Sequence, residues 1–156
     1  MQVAAWINKI AADLHTLGVR AGDILLVHAS LRACGFTPGG AATVLDGLRL
    51  ALGPTGVLLM PALSYATVTP DSPRFDLRLT PANVGVIAET FRQQPSVLRS
   101  LHPTHSVCGD GPAAHSLLAA HGLDRTPCGL HSPFRLLPGV GGKILMLGCG
   151  LHPNTS

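Results

Sequence analysis

Apolar residues over the first seventeen positions follow a helical repeat. Val3, Trp6, Ile7, Ile10, Leu14 and Leu17 share one face, and Gly18 follows as a stop. The pattern changes at "DILLVHAS" (23–30), a continuous apolar run of strand length. Helical spacing returns over 38–53, where Val44, Leu45, Leu48 and Leu52 align, and "GVLLMPAL" (56–63) reads as a second buried strand. The polar, proline-rich stretch 64–78 is too long for a plain connector. Thr80-Pro81 then supplies a hydroxyl N-cap and a proline suited to the first helical position, predicting a helix that runs to Pro95. "SVLRS" and "HSVCG" are short strand candidates flanking "LHPT", and 111–122 is a helix closed by glycine. "PFRLL" is about one helical turn, and "KILMLG" (143–148) a final buried strand.

Strands that are apolar throughout, alternating with helices, require a sheet covered on both faces. The fold class is therefore α/β: a three-layer α/β/α sandwich around a central, mostly parallel or mixed sheet. A single domain over residues 1–156 is expected, with no internal repeat.

Composition narrows the function classes. The 156 residues are 46% hydrophobic but only 12% charged, about half the charge of an average soluble domain. That deficit predicts surface buried by a partner subunit, a possible homo-oligomer, or by further chain. No apolar stretch approaches the roughly 20 residues that span a bilayer, because Pro61 interrupts the richest one. The amphipathic N-terminus lacks a signal-peptide core, so the expected location is cytoplasmic, without a membrane. The four cysteines lack CxxC spacing, which favours reduced thiols. A net charge of +3 with scattered basic residues gives no support for nucleic acid, though a small anion is compatible.

Ligands of such domains bind beyond the carboxyl ends of the strands. The segments there, 28–35, 64–65, 99–106 and 150–156, are rich in His, Ser, Thr and Arg. "RSLHPTHS" is the densest: Arg99, Ser100, His102, Thr104, His105 and Ser106 on a loop stiffened by Pro103. Guanidinium and hydroxyl groups suit phosphate oxygens, and the alternative is a polar loop whose histidines bond the backbone. "HASLR" would place the backbone N–H groups of Ser30 and Leu31 at a turn, another anion cradle. A metal is not expected: Pro103 blocks the helix that would align His102 with His105, no carboxylate adjoins them, and no HExxH occurs. The glycine pairs lack phosphate-loop spacing, Cys34 and Cys108 read as thiols without a role, and Glu89 reads as a pairing carboxylate.

"DILLVHASLRACG", "GVLLMPALSY", "RFDLRLTPANVGVIAETFR", "VLRSLHPTHSV", "TPCGLHSPF" and "GGKILMLGCGLHPNTS" occur in that order. Together they resemble the aminoglycoside 3-N-acetyltransferases, antibiotic acetyltransferases outside the GNAT fold, over residues 5–156. The resemblance implies an acyltransferase that moves acetyl from acetyl-CoA to the 3-amino group of a 2-deoxystreptamine antibiotic, conferring resistance. It places "HASL" and "RSLHPTHS" in the cofactor site, with Ser30, Leu31, Arg99, Ser100, His102 and Ser106 as cofactor-binding residues. It also implies that Asn154, Thr155 and Ser156 begin the catalytic motif, which continues in similar proteins into His-Leu-Ala-Glu. There the histidine is the base and the glutamate orients it; in this sequence neither follows Ser156. The chain is thus expected to be an N-terminal, acetyl-CoA-binding part that lacks the C-terminal portion and the base. The alternatives are an inactive CoA-binding fragment, or a family acetyltransferase acting on a non-antibiotic amine.

Overall fold

A computed structural model describes residues 2–35 and 37–150. Helix α1 (Gln2–Thr16) leads to strand β1 (Ile24–Ala29), helix α2 (Gly40–Leu52) and strand β2 (Val57–Pro61). After the 64–85 excursion come helix α3 (Val86–Arg92) and the hairpin-like strands β3 (Leu98–Arg99) and β4 (Val107–Asp110). The short helices α4 (Ala114–Leu118) and α5 (Pro133–Leu136), each followed by a 3₁₀ turn (His121–Leu123 and Leu137–Val140), precede strand β5 (Lys143–Leu147).

The strands form one sheet in the order β3-β4-β2-β1-β5. β1 pairs in parallel with β2 and β5, whereas β4 runs antiparallel to both β2 and β3. The sheet is therefore mixed, and apolar side chains alternate between two cores. Leu25, Val27, Leu58 and Met60 pack with Leu14 of α1, Leu45 and Leu48 of α2, and Ile87 and Phe91 of α3. Leu26, Val57, Leu59 and Val107 face the other way, onto Leu117 and Leu118 of α4 and onto Phe134. Helices cover both faces, so three layers form because β1 and β2 carry no polar face to leave in water. The α1–α2 crossing is close: a Cβ at Gly47 would lie 2.6 Å from Ile10 Cγ2.

Three expectations need correction. Thr80-Pro81 does not open a helix; α3 starts at Val86, after Gly85 at φ +112°. Thr80 instead closes a turn with Asp76: each accepts a hydrogen bond from the other's backbone N–H, at 2.8 and 3.0 Å. Residues 82 and 83 are held off helix, Ala82 N–H donating to Glu89 (2.8 Å) and Asn83 N–H to the Leu63 carbonyl (2.8 Å). The 111–122 helix is shorter than its pattern, since Gly122 lies inside the 3₁₀ turn rather than ending the helix. Strand β5 is not buried. It is the sheet edge, with Lys143 and Ile144 exposed and the remainder half-buried. An apolar run reports strand length but not whether both edges find a neighbour.

Candidate functional site

β1, β2 and β5 are parallel, so their carboxyl ends reach the same sheet edge. The antiparallel register sets Val107, the first residue of β4, opposite Pro61, the last of β2, and Arg99 opposite Cys108. Residues 30–35, 62–64, 100–106 and 148–150 are thereby gathered at that edge. β1 sits between β2, reached through α2 on one face, and β5, reached past α4 and α5 on the other. Connections that leave a strand toward opposite faces open a crevice at its carboxyl end, and here that end is His28–Ala29–Ser30.

Arg99, Ser100, His102 and Ser106 do come together, but mostly to bond one another and the framework. The half-buried Arg99 guanidinium does not present a free fork. Its Nε donates to Ser106 Oγ at 2.8 Å, its Nη2 to the Ala62 carbonyl at 2.9 Å and its Nη1 to the Thr80 carbonyl at 2.5 Å. Phe75 packs against it, with the ring centroid 4.9 Å from Cζ. Ser106, fully buried, passes its own proton to the Ala62 carbonyl at 2.8 Å. The buried Ser100 Oγ accepts the Val107 N–H and meets His121 Nδ1, both at 2.8 Å. That hydroxyl thus ties the start of β4 to the buried His121 ring.

His102 stacks on His121 at 4.9 Å between ring centroids and meets His105 edge-on at 6.0 Å. Its Nδ1 accepts the N–H groups of Thr104 and His105, which fixes it as unprotonated. Burial lowers the pKa of His102 and His105 and takes fully buried His121 to about 4, so the cluster is neutral at pH 7. Ser64 anchors the loop from below, its Oγ donating to the Pro103 carbonyl at 2.6 Å. The loop is thus a rigid, neutral platform rather than an electropositive one.

At the β1 exit, Ser30 does not offer its amide to a ligand, since that N–H donates to the Leu147 carbonyl at 2.9 Å. Ser30 and Leu31 open a single turn in which the Ala33 and Cys34 N–H groups return to the Ser30 carbonyl. A cavity of about 60 Å³ opens at the same edge, walled by Val27, Ala29, Met60, Leu63, Val84 and Ala88. His28 and Cys149 are the residues on its wall with polar side-chain atoms. His28 is buried and its Nε2 has no hydrogen-bond partner, while Cys149 Sγ donates to the His28 carbonyl at 3.3 Å. His28 was missed as a candidate, although a histidine at the end of an otherwise apolar strand is a readable signal.

Glu89 is a pairing carboxylate: Arg92 donates to it at 2.6 and 2.8 Å and holds its pKa down to about 2. Cys108 is fully buried, its thiol pushed up to about 12 by burial, which makes it unreactive. Asn154, Thr155 and Ser156 lie outside the described residues. Among the described residues no helix is long and apolar enough to cross a membrane.

A mixed five-stranded sheet covered by helices on both faces, with its parallel strands ending at one edge, defines a three-layer α/β domain. Comparison with known proteins makes this specific. The family model for aminoglycoside 3-N-acetyltransferase matches residues 26–156. Aminoglycoside N(3)-acetyltransferase VIII of Streptomyces fradiae is 37% identical over 95% of this chain and 57% of its own length. The crystal structure of the aminoglycoside acetyltransferase AAC(3)-IVa apoenzyme superposes with a TM-score of 0.87 at 34% identity, over 96% of this chain and 57% of that one. AAC-IIIb in a binary complex with CoASH gives 0.83 at 34% identity, over 96% and 61%. The chain belongs to the aminoglycoside 3-N-acetyltransferase family, and it spans little more than half the length of these relatives.

Proposed function

We propose that this chain supplies the acetyl-CoA side of an aminoglycoside 3-N-acetyltransferase. The observation that carries the reading is the gathering of 30–35 and 100–106 at one sheet edge, in a chain similar to AAC-IIIb, which has been solved in a binary complex with CoASH. Leu31, the rim of the Ser30 turn and the His102 face of the 100–106 platform line the cofactor's path. Arg99, Ser100 and Ser106 serve it by holding that platform in place.

The reaction is attack of the antibiotic's neutral 3-amine on the thioester carbon. The C–N bond forms, the tetrahedral intermediate collapses, and the C–S bond breaks to release CoA. The proton leaves the amine for a general base and ends on the thiolate, while hydrogen-bond donors stabilise the oxyanion. We assign the base to a histidine following Asn154-Thr155-Ser156 and none of the chain's own eight histidines to that task. The polycationic drug wants a carboxylate-rich cleft, and the eight Asp and Glu here are dispersed. The 156 residues alone are accordingly expected to bind CoA without turnover. The open β5 edge favours self-association, which sedimentation at several concentrations reads directly.

Acetyl-CoA consumption with gentamicin-like and kanamycin-like substrates, alongside calorimetry with CoA, tests the reading. CoA binding without turnover, with turnover appearing once the chain is extended past Ser156, is the expected pair of results. Absence of CoA binding overturns the cofactor assignment, and robust turnover by the 156 residues overturns the assignment of the base.

A further inference from the structure

A groove of about 600 Å³ lies beside the edge strand β3, between the 64–85 excursion and the C-terminal end of α3. Arg78, Arg92, Arg99, Gln93 and Gln94 supply its charged and amide groups, and no carboxylate is among its lining residues. β3 has the same sense as β2, because β4 is antiparallel to both. The groove therefore leads from Arg99 back past Leu98 and Pro95, away from the carboxyl ends of β1, β2 and β5. At its far end Gln94 Oε1 accepts from Arg49 at 2.5 Å, and Arg49 pairs with Asp110, which lies opposite Leu58 early in β2.

The three guanidinium groups are unequally compensated. Arg92 pairs with Glu89 at 2.6 Å, and the Glu89 oxygens are filled by Arg92, the Ala82 N–H and Gln93 Nε2. Half-buried Arg99 bonds only neutral acceptors, the Ser106 hydroxyl and backbone carbonyls, and makes no ion pair among the described residues. Burial lowers its pKa and the Arg92 charge adds to that. The Arg78 guanidinium makes no hydrogen bond or ion pair among the described residues. Only its backbone is engaged, the N–H with Asp76 and the carbonyl with Arg92. Asp76, the second carboxylate near the cluster, is turned to the Arg78 and Leu79 N–H groups. Three cations thus face two carboxylates, neither of which lines the groove.

We propose that this groove binds a free phosphate anion between Arg78, Arg92 and the Gln94 amide, at a site separate from the cofactor's. Arg78 brings a whole guanidinium fork, the geometry that suits phosphate oxygens. Arg92 adds the N–H groups left over from Glu89 and the Arg78 carbonyl, and Gln94 the amide N–H groups opposite the oxygen that Arg49 occupies. Arg99, its short bonds committed to the framework, contributes charge. Because Arg78 belongs to the excursion while Arg92 and Gln94 lie at the end of α3, a bound phosphate ties one to the other.

Calorimetric melting in phosphate and in chloride, at equal pH and ionic strength, tests the site, together with the phosphorus-31 resonance of inorganic phosphate. At ten times its dissociation constant, phosphate raises the wild-type Tm by about 3–6 °C over chloride. Arg78→Ala keeps the backbone bonds, weakens phosphate about tenfold and loses most of that rise. Arg135→Ala, an exposed arginine of α5 on the opposite face of the sheet, keeps it. The phosphate resonance broadens with the wild type and Arg135→Ala, and stays sharp with Arg78→Ala. CoA in excess leaves that broadening in place. An equal rise of Tm in the wild type and Arg78→Ala, as for a general salt effect, overturns the proposal. Displacement of phosphate by CoA gives the groove to the cofactor's own phosphates and overturns a separate site. Should Arg78→Ala fail to fold, a sharp phosphate resonance with the wild type overturns it equally.

Discussion

Replacing Arg99 by methionine removes a clasp. One guanidinium ties the exit of β2 (Ala62), the 64–85 excursion (Thr80, with Phe75 stacked) and the start of β4 (Ser106). Methionine fills the stem's space but removes the guanidinium donors from the Thr80 carbonyl, from Ser106 Oγ and from the Ala62 carbonyl, which keeps only its bond from Ser106. Hydrogen bonds from a charged donor are worth about 1.5–3 kcal/mol each when well enclosed. Arg99 is only half-buried, so about 1 kcal/mol for each of the three short bonds is the sounder figure, or roughly 3 kcal/mol in all. The contact with Phe75 adds about 0.5–1 kcal/mol.

At about 2–4 °C per kcal/mol for a chain of this length, Arg99→Met lowers Tm by roughly 7–16 °C. Arg99→Lys, a point charge that cannot span three acceptors, recovers less than half of that. Differential scanning calorimetry measures both variants. CoA titration at a temperature where each remains folded then separates clasp from ligand: a clasp shifts Tm and leaves CoA affinity within a few-fold. An Arg99→Met protein that melts within about 2 °C of wild type, yet binds CoA more than tenfold more weakly, would refute the clasp.

Three further outcomes are expected. His121 has a folded-state pKa of about 4 against an ordinary 6.5, lowered chiefly by burial and then by His102. The unfolded chain therefore binds the extra proton first, and stability present above pH 6.5 is lost as pH falls toward 4. This amounts to on the order of 3 kcal/mol; Tm against pH measures the slope, and His121→Phe flattens it. For Glu89 the window lies lower: its pKa is held to about 2 by Arg92, so its stabilisation is present above about 4.5 and lost as pH falls through 2. Glu89→Gln costs about 1–2 kcal/mol at pH 7 in chemical denaturation, and it abolishes that acid-side decline without altering CoA affinity. Gly111→Ala sets a Cβ 2.2 Å from the Gly56 carbonyl at a φ of +116°, and denaturant titration should show a loss of more than about 2 kcal/mol.

The framework was legible wherever burial alone decides structure. The runs 23–30 and 56–63 contain β1 and β2, and the α2 repeat buries Val44, Leu45, Leu48 and Leu52 as its spacing indicates; of the α1 face only Leu14 is buried, Trp6, Ile7 and Ile10 being half-buried and Val3 and Leu17 exposed. What the pattern could not supply was long-range. Thr80-Pro81 carries every local mark of a helix start, yet tertiary bonds to Glu89 and to the Leu63 carbonyl hold the next residues off helix until Gly85. Strand β5 has the composition of a central strand and sits at an edge, a fact of sheet order rather than of sequence. For the site, residue type singled out segments that the fold does bring to one sheet edge. Hydroxyl and guanidinium groups were assigned to a ligand, whereas Arg99, Ser100 and Ser106 spend their hydrogen bonds inside the protein.

That inversion follows from the geometry of a strand edge. Where parallel strands stop and an antiparallel neighbour begins, backbone carbonyls such as those of Ala62 and Pro103 lose their ladder partners. Side chains satisfy them instead. Polar residues concentrate at such an edge first to meet that need, and Arg99, Ser64 and Ser106 do so. A polar side chain at the same edge with its framework bonds unmade is therefore more informative than a cluster of them.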